Sequence, residues 1–333
     1  MKVIIPMAGM GKRLRPHTLT TPKPLFPIAG KPIVHHLVED IAVLIKQPIE
    51  EIAYIIGDFG KEVENSLSKV AEKVGAKAKI YYQQEPLGTG HAILCAKESL
   101  VGNVVVAFAD TLFRAEFELD TDKDAVVWVK EVDNPSSFGV VKLNDKQEII
   151  DFVEKPKEFV SNLAIIGIYY FKSGEYLCQE LQRLIDQNIK SLGEYQLTDA
   201  LAHMLQEGKK MSIAGVAEWM DCGNKQALLE THQNVLNYLQ KNNKIHNFVY
   251  PNSVITPPCY IADNVQIHNS IIGPYVSIGE NAVIENAILS HSIVQDNAQI
   301  YYAQLHHSII GKNANVKGVA LSVNLGDYSC IEV

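Results

Sequence analysis

Residues 7–31 read MAGMGKRLRPHTLTTPKPLFPIAGK, with glycines and cations close enough together to hold phosphate. Gly9 and Gly11 follow an apolar run directly, and Lys12, Arg13, Arg15, Lys23 and Lys31 come soon after. Glycines let backbone N–H groups approach phosphate oxygens, while ammonium and guanidinium groups neutralise the charge. Two familiar phosphate loops do not fit. A Walker loop fails because Pro6 stands where its first glycine belongs and Arg13 follows Gly11-Lys12. A dinucleotide G-x-G-x-x-G fails because Leu14 occupies the third glycine position. A lone G-x-G is equally the mark of an ordinary strand-to-helix loop, so the surrounding cations carry the reading.

The elements around this loop alternate. Residues 2–6, 49–57, 79–84 and 103–110 read as buried strands. Residues 32–45, 61–75 and 90–100 carry apolar side chains at helical spacing, for example Ile33, Leu37, Ile41 and Leu44. Such alternation predicts a mostly parallel sheet with helices on both faces. Ligands then sit beyond the carboxyl ends of the strands, which points to the glycine loop and to Asp110 at the end of the fourth. Strands near 125–132, 139–143, 149–154 and 164–171 follow, then helices over 174–188 and 198–207. A single strand through 211–220 and a long amphipathic helix over 225–241 complete this part, and Asn242-Asn243-Lys244 reads as a linker. Domains of 1–242 and 243–333 are therefore expected.

Beyond about residue 250, aliphatic residues recur at every sixth position. They run Ile255, Ile261, Ile267; Ile272, Ile278, Ile284; Val294, Ile300; and Ile310, Val316. This is the hexapeptide pattern of a parallel β-helix, with glycine and asparagine at tight corners. Hairpins would show period two instead. About four coils are expected, with slips of register between groups.

Composition bounds the partners. The chain has 333 residues, 47% hydrophobic, with a formal charge of −8. That charge argues against a nucleic acid polymer as the main partner but leaves room for a nucleotide held by local donors. The five cysteines lack C-x-x-C spacing, which suits free thiols in a reducing compartment. The run Val3-Ile4-Ile5 breaks at once into Pro6 and glycines, unlike a signal peptide, and no stretch has the length of a membrane helix. A cytoplasmic protein with no membrane partner is expected.

The same residues also resemble a known family, the sugar-1-phosphate nucleotidyltransferases. Gly9, Gly11, Arg13, Leu14, Pro16 and Thr18 match its G-x-G-x-R-L-x-P-x-T signature, and Pro22-Lys23-Pro24-Leu25 and Lys31-Pro32 match the motifs that follow. QQEPLGTGHA (83–92), Phe108-Ala109-Asp110, Phe138-Gly139-Val140-Val141, Glu154-Lys155-Pro156 and Trp219-Met220-Asp221-Cys222-Gly223 continue the series in order. The resemblance spans about residues 1–240, and several relatives carry a left-handed β-helix after it. It implies an α/β fold: a Rossmann-like nucleotidyltransferase domain with a mixed, mostly parallel central sheet, plus a C-terminal left-handed parallel β-helix.

The resemblance also implies roles. A nucleoside triphosphate, dTTP first and UTP or GTP as alternatives, meets a sugar 1-phosphate, glucose 1-phosphate first. The catalytic set is Arg13 on the β/γ-phosphates, Lys23 on the α-phosphate, Asp110, and Lys155 on the sugar phosphate. Ala8, Gly9, Gly11, Gln83 and Gly88 join Arg13 around the nucleotide, although Gln84 is an adjacent amide that a slip of one residue would substitute. Gly139, Glu154, Asn162 and Gly167 accompany Lys155 at the sugar. Asp110 and Asp221 bind Mg²⁺, which suits hard oxygen ligands. A homo-oligomer is expected. Two departures stand out: Lys12 replaces the usual Thr or Ser before the arginine, and Ala109-Asp110-Thr111 replaces Gly-Asp-Asn. A non-catalytic sensor of nucleotide-sugars and an acyltransferase built on the β-helix are the competing readings. His35-His36, His306-His307, Tyr169-Tyr170 and Tyr301-Tyr302 read as surface or packing residues.

Overall fold

The computed structural model describes residues 1–115, 121–242, 249–318 and 320–332. The linker expected at 242–244 starts at Asn242, which ends a helix, and its other two residues lie outside the described ones. Two compact units emerge, Met1–Gly9 with Val34–Trp219, and Met10–Ile33 with Met220–Val333. The signature loop thus packs with the C-terminal part of the chain.

In the first unit, β1 (Lys2–Pro6), β2 (Glu51–Ile56), β3 (Lys77–Tyr82) and β4 (Val104–Ala107) are parallel, in the order β4-β1-β2-β3. Every residue of β2 is buried, as a strand covered on both faces requires. Helices α1 (Ile33–Ile45), α2 (Lys61–Lys73) and α3 (Thr89–Cys95) make the crossovers. In α2 the buried stripe is Val63, Leu67, Val70 and Ala71, and Glu62 and Glu64 sit at the positive end of the helix dipole.

The strand expected over 103–110 stops at Ala107; the Phe108 N–H still bonds to the Gly167 carbonyl at 2.9 Å, and Ala109-Asp110 turn the chain. Asp110 therefore lies in the turn before β5 (Thr111–Arg114) rather than at a strand end. Then come β6 (Ala125–Glu131), β7 (Gly139–Leu143), β8 (Ile149–Glu154) and β9 (Leu163–Phe171). β9 runs antiparallel to β4, β6 and β7, and it makes the sheet mixed. Helices α4 (Gly174–Asp186) and α5 (Leu197–Gln206) cover this part, with Leu177, Leu181, Leu197 and Leu201 in the core. The strand expected over 211–220 is two. β10 (Met211–Gly215) pairs with β6, the strand breaks at Val216-Ala217, and β11 (Glu218–Asp221) pairs with β5.

The second unit holds α6 (Lys225–Lys241), capped by the Asn224 side chain on the Ala227 N–H at 3.1 Å, and the β-helix. Its short strands form three parallel sheets of five strands, so the described residues make five coils rather than about four. Gln266, Val283, Gln299, Asn315 and Cys330 stack in register on one face. Coil length shrinks from 17 residues to 16 and then 15, which hides the last coil from a strict six-residue count. Ile261, Ile267, Ile272, Ile278, Ile284, Val294, Ile300, Ile310 and Val316 fill the core. Asn264, Asn281, Asn297 and Asn313 take left-handed corners, where a short amide side chain tolerates positive φ. This is the left-handed β-helix expected of the tail. All five cysteines are free thiols.

Candidate functional site

In the second unit the site begins with the glycine turn. Gly11 has φ +59°, and its carbonyl accepts the Leu14 N–H and the Thr18 hydroxyl, each at 2.9 Å. This closes a single tight turn over Lys12–Leu14. A Cβ at Gly11 would fall 2.8 Å from Lys23 Cβ, so the stem of Lys23 lies directly against the turn. Arg13 is exposed and reaches Gly223. A Cβ there would meet Arg13 Nη2 at 2.9 Å and the Asp221 carboxylate oxygens at 3.0 and 3.1 Å. Asp221 Oδ1 also accepts the Gly223 N–H at 2.9 Å, and the Asp221 carbonyl accepts the Thr231 hydroxyl at 2.7 Å. Glycine at 223 is what lets guanidinium and carboxylate close on the same spot.

The loop is held from below. His17 Nε2 lies 2.7 Å from Asn324 Oδ1, and the Thr20 hydroxyl donates to Asp327. An amide oxygen only accepts, so the His17 proton is on Nε2. Burial lowers the His17 pKa, against the Asn324 bond and Asp327, which raise it.

In the first unit the proposed base-reading residues meet. Gln83 Nε2 donates to the Gly88 carbonyl at 3.1 Å and lies 3.1 Å from His91 Nδ1, while Gln84 is exposed. The carbonyl fixes the amide orientation and leaves Gln83 Oε1 as an acceptor. Burial lowers the His91 pKa, keeping Nδ1 an acceptor. Gly88 has φ +118°, and a Cβ would fall 2.5 Å from the Tyr195 carbonyl. Tyr195 N–H bonds to the Leu87 carbonyl, Gly90 N–H to the Tyr195 carbonyl, and the Thr89 hydroxyl to Gln196 Oε1 at 3.0 Å. The segment 194–196 thus braces the base segment from a hundred residues away. Neither His91 nor this brace was named from the sequence, although the polar-aromatic run Glu194-Tyr195-Gln196 just before a helix could have flagged it.

The sugar-side residues gather across the β7–β8 pair, where Gly139 faces Glu154. A Cβ at Gly139 would fall 3.0 Å from Glu154 Oε2, which also accepts the Thr198 hydroxyl at 3.3 Å. Lys155 takes a left-handed backbone, φ 43°, with its N–H on the Phe138 carbonyl at 3.1 Å and its ammonium 3.5 Å from Glu154 Oε1. Phe138 stands edge-on to Trp219 at 4.8 Å, and Trp219 donates its indole N–H to the Thr111 hydroxyl at 2.6 Å. This chain of contacts ties the Lys155 turn to the residue after Asp110. Gly167, φ +84°, lets β9 approach Phe108. Asn162 is exposed and contributes its carbonyl to Val132 and Ala164, and no hydrogen bond joins its side chain to Glu154 or Lys155 among the described residues. Ala8 is half-buried and Gly9 is exposed with open space around it.

Among the described residues no group of three or more His, Cys, Asp or Glu gathers as a metal cluster. A Mg²⁺ ion that keeps waters and takes phosphate oxygens needs only one or two carboxylates from the protein. Among the described residues no helix is long and apolar enough to cross a membrane.

Comparison with known proteins gives matches along most of this length. The family model described as nucleotidyl transferase matches residues 2–238. The chain is 36% identical over 258 residues to the Bifunctional protein GlmU of Methanocaldococcus jannaschii, covering 77% of this chain and 59% of that protein. It is 31% identical over 281 residues to the glucose-1-phosphate thymidylyltransferase of Streptomyces antibioticus, covering 81% and 75%. It thus spans less than two-thirds of the Methanocaldococcus protein. A solved structure of UDP-glucose pyrophosphorylase complexed with UDP-glucose shares the fold at TM-score 0.57 and 24% identity, covering 71% of this chain and 98% of that one.

Proposed function

Because the chain belongs to the nucleotidyl transferase family, we propose that it joins a nucleoside triphosphate to a sugar 1-phosphate, with release of pyrophosphate. The observation that carries this reading is Arg13 and Asp221 closing on Gly223, beside a glycine turn backed by Lys23. A sugar-phosphate oxygen attacks the α-phosphorus. As that P–O bond forms, the bond to the β-phosphate breaks and pyrophosphate leaves. Two anions must meet, so the work is alignment and charge neutralisation rather than nucleophilic catalysis by a side chain.

Arg13 holds the β- and γ-phosphates, Lys23 the α-phosphate and the charge that grows there, and Lys155 the incoming sugar phosphate. Mg²⁺ would be held by Asp110 and Asp221, where it supplies neutralisation of the triphosphate. Gln83 Oε1 accepts from the ring N–H of the base, a donor that thymine, uracil and guanine present and cytosine and adenine do not. dTTP and glucose 1-phosphate stand first, in keeping with the named activity of the Streptomyces relative, and UTP stands second. Glu154 and Gly139 contact the sugar hydroxyls. We further propose a cytoplasmic homo-oligomer in which residues 1–242 do the chemistry and the β-helix serves assembly.

A panel of dTTP, UTP, GTP, CTP and ATP against glucose 1-phosphate, scored by nucleotide-sugar formed, tests the choice of base. dTTP and UTP should lead; preference for ATP or CTP would overturn the role given to Gln83.

A further inference from the structure

Three buried serines of the β-helix share one pattern of bonds, and a fourth departs from it. Ser270, Ser292 and Ser308 each donate to the carbonyl two residues earlier, at 2.6–2.9 Å. Each also accepts a backbone N–H from the next coil at 3.1 Å. Ser277 does neither. It is 4% exposed, yet its hydroxyl has no hydrogen-bond partner among the described residues and is not sealed from water. Stacked pairs put it in the outward column Tyr260, Ser277, Ile293, Ile309, where the next two coils present isoleucine. A hydroxyl so covered normally has a partner.

Ser277 lines a cavity of about 210 Å³ within the second unit. Leu25, Pro27, Gly30 and Pro32 of the signature hairpin form one side, and Tyr260 stands beside Ser277 on the other. A Cβ at Gly30 would overlap the Tyr260 ring, so hairpin and coil meet there. Glu280, Asp296 and Lys312 add charge to the lining. Asp296 pairs with Lys312 at 3.3 Å, while no cation meets the Glu280 carboxylate among the described residues. Burial, then the carboxylates of Asp263, Glu280 and Asp296, raise the Tyr260 pKa, so the phenol keeps its proton.

This lining selects its occupant. Two carboxylates against one ammonium disfavour a phosphate or any other anion. Among the described residues no three His, Cys, Asp or Glu side chains gather, so a bare divalent ion lacks its ligands. A neutral polyol would reach the hydroxyls and leave the Glu280 charge unmatched. A primary ammonium carries three donors and no acceptor, which suits two hydroxyl oxygens and a carboxylate. The volume lies below the ~300 Å³ at which pockets for drug-sized ligands begin, so the occupant is small.

We propose that this cavity binds a small primary alkylammonium compound. The Ser277 hydroxyl and the Glu280 carboxylate hold the ammonium, and the carbon chain lies against Pro27 and Pro32. None of the lining residues is among those given to the triphosphate or the sugar.

Calorimetric titration of the full chain with n-propylammonium chloride tests this. Propan-1-ol serves as the neutral isostere, methyl glucoside as the neutral polyol, and sodium chloride at equal ionic strength as the control for charge alone. The amine should bind saturably at one site per chain, and none of the three controls should compete. Glu280→Gln and Ser277→Ala should each weaken binding at least about tenfold, as loss of a bond to a charged group does. Lys312→Gln removes the competing ammonium from Asp296 and should tighten binding. Ser277→Ile installs the residue of the next two coils and should abolish binding by filling the floor. Should that variant fail to fold, Glu280→Gln on the exposed side carries the test. No saturable binding of n-propylammonium overturns the proposal. So does unchanged binding in Glu280→Gln or Ser277→Ala, weaker binding in Lys312→Gln, or competition by sodium. Methyl glucoside binding more tightly than the amine would identify a polyol site and overturn it too.

Discussion

Asn324 Oδ1 lies 2.7 Å from His17 Nε2, so the final coil of the β-helix holds the loop that carries Arg13. His17 Nδ1 is already buried without a partner. Asn324→Ala would leave the ring unsatisfied at both nitrogens, at a cost of about 1–3 kcal/mol. A lower melting temperature and a raised KM for the nucleotide are expected. A variant that melts like wild type with unchanged KM would show that the bond does not support the loop.

Gly88 is predicted to be irreplaceable in the base segment. Alanine there meets both a disfavoured φ of +118° and the Tyr195 carbonyl at 2.5 Å. Gly88→Ala should move the 194–196 brace and reduce kcat/KM for the nucleotide at least tenfold, measured by steady-state kinetics. Gly75→Ala, also at positive φ but with nothing near its Cβ, should leave kinetics unchanged and lower only stability.

Acid should unfold this protein through its buried histidines. His232 is fully buried with neither ring nitrogen partnered, and burial, helped by His291, pushes its pKa down to about 3. Between that value and the ordinary 6.5, the unfolded chain binds a proton that the folded one refuses. Stability is therefore full above about 6.5 and falls as the pH drops through this window, and His17 acts in the same direction. His232→Leu removes two unmatched buried nitrogens and should flatten the pH dependence of the melting temperature. An unchanged slope would contradict this.

Arg13 should not tolerate lysine. The guanidinium fork reaches Gly223 beside Asp221, and an ammonium keeps the charge without the fork. Arg13→Lys should lose about 10-fold or more in kcat/KM, and Lys23→Ala about 10²–10³ in kcat, the range seen when a donor to developing charge is removed. Equal losses in KM alone for Lys23→Ala would move its role from the transition state to simple binding.

Much of this arrangement was legible in the chain, and the reasons for the rest are specific. The glycine turn, the alternation of strands and helices and α6 followed from local periodicity, and Gln83 and Gly88 are only five residues apart. β5 was missed because the apolar run ahead of it reads straight through Phe108 into Ala109-Asp110, where the chain turns. The fifth coil was missed because shortened coils break the six-residue count, and its strand carries Asn324-Leu325 in place of two isoleucines. The brace at 194–196 and the anchoring of His17 by Asn324 depend on partners about 107 and 307 residues away. No local pattern encodes such pairings.

In the proposed reaction the glycine turn, Arg13, Lys23 and the two aspartates serve one crowded set of phosphates. The direct measurement is pyrophosphate release by the full chain from dTTP and glucose 1-phosphate, with and without Mg²⁺, alongside Asp110→Asn and Asp221→Asn variants whose melting matches wild type. Release should equal the nucleotide-sugar formed, be abolished by chelation and fall at least about 10²-fold in either variant. Absence of pyrophosphate with every nucleoside triphosphate and sugar 1-phosphate tried, or full activity in both variants, would contradict it.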